Sequence, residues 1–239
     1  MSGVVFVAGA TGHSGREAVR ALRERGVAVH AHVRPDSSRL AEWRSRFEAM
    51  HATMDTTPWE EEALRACLAA LAPRAVIGAL GTTRRRGAMA QRRGEAAEPY
   101  ETVDYGLTAM LLRAAAGAPS RPRVVYVSSM GVKAGQTRGY LGVRARIEAE
   151  LAASGLPWVS ARPSFIVGER DAHRWSESVG ATLGDAVLSA LSLGRPSAFG
   201  ERYRSQTGEV LGRALADLAL DPDAHGIVRS DELRRRGGA

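Results

Sequence analysis

Val4-Val5-Phe6-Val7-Ala8-Gly9-Ala10-Thr11-Gly12-His13-Ser14-Gly15, running into Arg16-Glu17-Ala18-Val19, is the stretch that decides how this chain is read. An apolar run breaks at glycines spaced three apart, and a segment with Val19, Leu22 and Val27 follows. That order predicts a β-strand, a tight loop and an α-helix. Each glycine has a physical task. Gly9 permits the turn, Gly12 lets the backbone approach a pyrophosphate, and Gly15 lets the helix pack close to the sheet, with the helix N-terminus facing the phosphates. Thr11, His13 and Ser14 share the loop, so the expected phosphate-side set is Gly9, Thr11, Gly12, His13, Ser14 and Gly15. The spacing is G-x-x-G-x-x-G, wider than G-x-G-x-x-G.

Composition narrows the classes that remain. A chain of 239 residues suits one well-cored α/β domain, with the C-terminal elements, about 164–239, on the substrate side. No apolar run reaches the roughly 20 residues that cross a bilayer, and the N-terminus enters the first strand directly. A soluble, cytoplasmic protein with no membrane partner is therefore expected. Cys67 is the sole cysteine, which rules out an intrachain disulfide and a cysteine-based metal cluster; Leu64, Leu68 and Leu71 beside it suggest a core position. No metal site is expected. The net charge of +7 invites a nucleic-acid reading. Against it, Lys133 is the only lysine, the arginines are scattered over several helices and aromatics are few, so no nucleic-acid partner is expected.

Outward from the glycine loop, Val27–Val33 alternates as a second strand and ends at Arg34-Pro35. The tip of this strand selects between the nicotinamide dinucleotides: an acid binds the ribose 2′-hydroxyl, an arginine accommodates the 2′-phosphate. Arg34, Ser37, Ser38 and Arg39 favour NADP, with Asp36 as the competing acid, so NAD is the less expected cofactor. Leu40 to Phe47 reads as a helix, Ala49 to Met54 as a third strand ending at Asp55, and Trp59 to Leu71 as an amphipathic helix. Arg74–Gly81 is a continuous apolar fourth strand, as a central parallel strand should be. Tyr100–Ala116 is a helix, Pro122–Val127 a fifth strand ending in Ser128-Ser129, and Tyr140 heads the next helix twelve positions after Ser128. Leu156–Ala161 is the sixth strand; helices over 181–193 and 207–220 and strands at 196–199 and 226–230 follow, with 231–236 as a tail. Strand-helix alternation predicts a doubly wound, mostly parallel Rossmann sheet with helices on both faces.

The wide glycine spacing resembles the short-chain dehydrogenase/reductase superfamily, and its Gly-Ala-Thr-Gly form resembles the extended and atypical branches. The segment Ala79-Leu80-Gly81-Thr82-Thr83-Arg84 is similar to the Leu-Gly-Thr-Thr-Arg segment of the Tat-interacting-protein group, related to the NmrA-like proteins. The resemblance implies that Leu80, Gly81 and Thr82 pass under the nicotinamide-side ribose and phosphates. It places Asp55 by the adenine edge, where capping the next helix is the alternative reading. It also implies that backbone groups of Pro163, Phe165 and Ile166, in Arg162-Pro163-Ser164-Phe165-Ile166-Val167-Gly168, hold the carboxamide.

The resemblance further implies a serine at the end of the fifth strand that holds the substrate oxygen, and a Tyr-x-x-x-Lys helix on which tyrosine moves the proton. Ser128 or Ser129 and Tyr140 match, while Arg144 stands where lysine is expected and Asp104 where an asparagine often stands. Spacing of i, i+4 puts Tyr140 and Arg144 on one helix face, where a cation can aid a phenol whose free pKa is about 10. Arginine is larger, planar and never deprotonated, so the exchange is not conservative. The basic loop from Arg84 to Gly94 reads as a mobile cover for an anionic ligand or as a solvated loop, and Asp171, His173, Arg174 and Trp175 are candidate substrate lining. Two functions follow: an NADP-dependent oxidoreductase acting on a small carbonyl or alcohol, or an NADP-binding sensor of NmrA-like type reporting to a protein partner. A monomer or a homodimer is compatible with either.

Overall fold

The computed structural model describes residues 3–81, 100–164, 166–167 and 206–238. Thr82, Phe165, the arginine loop, the residues around His173 and the elements expected over 181–199 lie outside them.

The chain builds β1 (Val5–Ala8), α1 (His13–Glu24), β2 (Val29–His32), α2 (Leu40–Ala49), β3 (Thr53–Asp55), α3 (Glu61–Leu71) and β4 (Ala75–Gly78). A π-wound turn, Tyr100–Gly106, leads into α4 (Leu107–Ala116), followed by β5 (Arg123–Val127), α5 (Gly139–Ala153) and β6 (Trp158–Arg162). Then come β7 (Ile166–Val167), β8 (Gln206–Thr207), α6 (Gly208–Leu220), β9 (Gly226–Arg229) and α7 (Ser230–Gly237). Among the described residues seven strands form one sheet in the order β3-β2-β1-β4-β5-β6-β9, and each neighbouring pair there is parallel. The doubly wound parallel sheet expected from strand-helix alternation is the fold.

Side-chain period decides the two cores. Val5 and Val7 of β1 face one layer, with α1, α2 and α6, whereas Phe6 and Ala8 face the other, with α3, α4 and α5. Burial on both faces is why β1 and β4 read as unbroken apolar runs. On the first face α6 lies tight against α1: a Cβ on Gly212 would stand 2.5 Å from the Glu17 carbonyl carbon, so only glycine fits. Thr207 starts α6, its Oγ1 accepting the Val210 N–H at 3.2 Å.

Three boundaries differ from the sequence reading. The third strand begins at Thr53, because α2 runs to Ala49 and His51 turns the chain at a φ of +55°. The helix expected over 100–116 is π-wound in its first part. Residues 231–236 form α7 and not a tail. Asp231 and Glu232 in its first turn and arginines in its last complement the helix dipole. Leu233 is buried, and Arg236 Nη1 reaches Asp217 and Asp221 at 2.7 and 2.8 Å. Among the described residues no helix is long and apolar enough to cross a membrane.

Candidate functional site

The glycine loop lies at the carboxyl ends of β1 and β4. Gly9 has a φ of +79° and accepts the Gly12 N–H at 3.0 Å; a Cβ on Gly9 would lie 2.4 Å from the Ala79 carbonyl oxygen. A Cβ on Gly15 would lie 2.2 Å from the Gly9 carbonyl oxygen. Close backbone contact therefore draws Gly9, Gly15 and the Ala79-Leu80-Gly81 exit of β4 together. Gly12, exposed, is the N-cap of α1, and no side chain caps that end. A helix N-terminus left bare beside a glycine cradle suits a pyrophosphate, so the chain fits a dinucleotide here. Thr11 and Ser14 are half-buried in the same turn. His13 turns toward Gly208 at the start of α6, and its Nε2 is buried without a hydrogen-bond partner.

At the tip of β2, Arg34 is exposed, with Nη1 3.5 Å from Asp36 Oδ2, and Ser38 is exposed beside it. Arg39 is committed elsewhere: Nε and Nη2 both donate to Glu42 at 2.6 Å. Asp55 Oδ1 accepts the Thr57 N–H at 2.9 Å, and Oδ2 receives the Cys67 thiol at 3.4 Å. Burial pushes the Asp55 carboxyl up, but these bonds outweigh it and hold it below the usual range. It does not cap α3, which begins at Glu61. Cys67 is half-buried at this bond. Next to it His32 donates Nε2–H to the Thr57 carbonyl at 2.7 Å, edge-on to Trp59.

The other half of the site is the seam between β5 and α5. Tyr140, Arg144 and Glu148 recur at i, i+4 and i+8 on one face of α5, and each meets a polar group. Arg144 Nη1 donates to the Val127 carbonyl at 2.6 Å and the Tyr126 hydroxyl at 3.0 Å, and Nη2 donates to Asp104 Oδ1 at 3.1 Å. Its guanidinium carbon stands 4.5 Å from the centre of the Tyr140 ring. Burial works against this cation, yet Tyr126, Tyr140 and Asp104 together keep it firmly protonated. Burial likewise pushes the Tyr126 hydroxyl above its ordinary range, so it stays a phenol. Gly81, at a φ of +154°, lies on the pair: a Cβ there would come within 2.8 Å of Arg144 Nη2 and 2.9 Å of Asp104 Oδ1.

Glu148 makes the neighbouring cluster. It accepts Ser160 Oγ at 2.7 Å and Arg162 Nε at 2.9 Å, while Arg162 Nη2 reaches its other oxygen at 2.5 Å. Burial raises the Glu148 carboxyl, and Arg162 with the nearby Ser128 and Ser160 hydroxyls outweighs burial, holding it below the usual range. Ser128 is buried, with its N–H on the Ala161 carbonyl at 2.8 Å. Ser129 is half-buried, its hydroxyl donating to the Met130 carbonyl at 3.2 Å. Met130 N–H bonds the Pro163 carbonyl at 3.0 Å, which ties the two serines to the Pro163 segment. Ile166 pairs with Gln206 in the short β7–β8 ladder.

The structure thus joins Gly81, Tyr140 and Arg144, and separately Ser128, Ser129 and Pro163. Sequence reasoning missed Tyr126, Glu148 and Arg162 as members of the site. Glu148 was discoverable, since it lies two turns after Tyr140 on the same face. Tyr126 was not, because an aromatic in a buried strand reads as core.

A family model described as NAD(P)H-binding matches residues 9–198. No curated protein matches the chain in sequence. Among solved structures, a candidate NAD-dependent epimerase/dehydratase from Bacillus halodurans is similar in fold at 19% identity, with a TM-score of 0.66 over 98% of this chain and 99% of that one. WbmH of Bordetella bronchiseptica, solved with NAD+, is similar at 20% identity, with a TM-score of 0.61 over 95% of this chain and 75% of that one. A nucleoside-diphosphate-sugar epimerase from Pseudomonas aeruginosa is similar at 18% identity, with a TM-score of 0.58 over 96% and 72%. Because the family match runs from the glycine loop to beyond the sixth strand, the chain belongs to the NAD(P)H-binding family.

Proposed function

We propose that the protein is an NADP-dependent oxidoreductase acting on a small carbonyl or alcohol. The observation that carries this reading is the place of Tyr140: at the start of α5, half-buried, with the Arg144 guanidinium across its ring. A phenol so placed can give a proton to a carbonyl oxygen or take one from an alcohol. Of the two serines, Ser129 is the less buried and is the one to hold that oxygen, while Ser128 sits beneath it beside Glu148. The pyrophosphate would be held by the α1 N-terminus at Gly12, and the nicotinamide side would run over Leu80 and Gly81 toward Pro163. The bound dinucleotide supplies or accepts the hydride. The chain's part is to orient the reactants and to move the proton at the Tyr140 oxygen. Arg34 at the β2 tip supports NADP over NAD, since an exposed guanidinium can pair with a 2′-phosphate.

A sensor that binds NADP without turnover is the second reading, and one observation favours it. The Arg144 side chain is only 6% exposed and both its terminal nitrogens are turned inward to Asp104, Tyr126 and Val127, away from a ribose lying over the site. Titration with NADPH, followed by absorbance at 340 nm against aldehydes, ketones and quinones, separates the two. Substrate-dependent oxidation that disappears in Tyr140→Phe supports the enzyme; tight binding with no oxidation across the panel overturns it in favour of the sensor.

A further inference from the structure

Arg144 and Asp104 both depart from the pattern that the superfamily resemblance implies, and the two departures meet in space. They lie 40 positions apart in the chain, yet Nη2 and Oδ1 are 3.1 Å apart. The Arg144 and Asp104 side chains are only 6% and 1% exposed. A lone charge at that depth is strongly disfavoured, so neither residue is tolerated there without the other. The surroundings are shaped to the pair. Nη1 is fixed by the Val127 carbonyl and the Tyr126 hydroxyl, Tyr140 lies against the guanidinium plane, and Gly81 leaves no space for a side chain above it. Four elements therefore converge on one ion pair: the exit of β4, the π-wound turn, β5 and α5.

We infer that Asp104 and Arg144 act as one unit, in which Asp104 is the positioning residue that holds the guanidinium across Tyr140 and beneath the Gly81 backbone. The inference rests on the dinucleotide running over the exit of β4, as proposed above. Three things follow from the geometry. First, the group next to Tyr140 is a neutralised pair and not a net cation. Second, lysine at 144 is no substitute while Asp104 remains, because one ammonium cannot span the Val127, Tyr126 and Asp104 oxygens that the planar fork reaches together. Third, removing the carboxylate alone frees the guanidinium to leave the Tyr140 face, which loosens the floor on which Gly81 rests.

The test is a double-mutant cycle in the full chain: wild type, D104N, R144K and D104N/R144K, each titrated with NADPH by fluorescence well below its melting temperature. Each single exchange is expected to weaken NADPH by about tenfold, and the double by about the same tenfold and not a hundredfold, because once either partner is changed the other no longer holds the floor beneath Gly81. Effects that simply multiply in the double would overturn the inference. So would coupling confined to the melting temperature with NADPH affinity unmoved, since that is the signature of a structural pair only. If the single variants do not fold, the double is read against wild type alone: binding about tenfold weaker supports the unit, and binding unchanged or about a hundredfold weaker overturns it. Turnover is recorded in parallel. A wild type that oxidises no NADPH but shows the coupled affinities defeats the oxidoreductase reading and leaves the positioning role standing; a turning-over wild type with uncoupled affinities does the reverse.

Discussion

The glycine loop and the β5–α5 seam serve one site by opposite means. At the loop the structure removes side chains: Gly9 and Gly15 bring backbone within 2.2–2.4 Å of where a Cβ would stand, and the α1 end is left bare. At the seam it buries charged side chains in depth, Arg144 on Asp104 and Glu148 on Arg162. The loop depends on conformation and space, and its energetics are those of steric fit. The seam depends on mutual neutralisation, where each charge is favourable only in the presence of its partner.

The largest expected effect lies at the seam. Arg144→Met leaves the Asp104 carboxylate buried and without its cation, a loss of about 3–5 kcal/mol in urea unfolding. A loss under about 1 kcal/mol would show that the pair carries little and would erase the contrast drawn above. At the loop, Gly15→Ala must push the Gly9 carbonyl aside, a loss of about 1–3 kcal/mol together with NADPH binding. Gly12→Ala sharpens the point: its Cβ would meet only the Gly9 oxygen, at 3.2 Å, so stability should hold while NADPH affinity falls. If both glycine variants lose stability equally, the cradle is a packing feature and not an anion seat.

Away from the β5–α5 seam, His32 at the end of β2 beside β3 offers a smaller and pH-dependent effect. Burial opposes its charged form and outweighs the Thr57 carbonyl and Asp55, so the folded chain takes up this proton at lower pH than the unfolded chain. Its stabilising share is complete above about pH 6.5 and declines as pH falls below that value. Thermal melts from pH 8 to 5.5 should show this slope, and His32→Gln should flatten it; an unchanged slope in the variant assigns it to another group. The smallest effects are at the β2 tip. Arg34→Ala should weaken NADPH about tenfold and leave NADH untouched, as loss of one charge-assisted phosphate contact does. Arg39→Ala should alter neither cofactor, because that guanidinium is held by Glu42. NAD binding at least as tight as NADP in the unmodified chain would remove Arg34 from its role.

Much of the fold was legible because its signals are local. Apolar runs, glycine spacing and helical stripes each lie within a dozen residues, and parallel strands force the crossovers between them. Boundaries were less legible where local signals compete. Ala49 suits a helix end as well as a strand start, and the arginine-rich 231–236 stretch looked like a tail because its helix is secured by Leu233 and by contacts to α6. For the candidate site, the shared face of Tyr140 and Arg144 was readable from helical spacing, and their role from the superfamily resemblance. That Arg144 is engaged by Asp104 and Tyr126 was not, since nothing in a sequence tells which buried acid will face which buried base.

The sequence by itself therefore determined the strand-loop-helix cradle, the doubly wound parallel sheet and the face of α5 that carries the tyrosine, because these follow from backbone freedom and side-chain period over short distances. The tertiary structure alone decided how the buried charges are matched: Asp104 with Arg144 and Glu148 with Arg162. These two pairings arise only once the fold brings separate segments within a few ångströms in a medium where an unmatched charge is not tolerated.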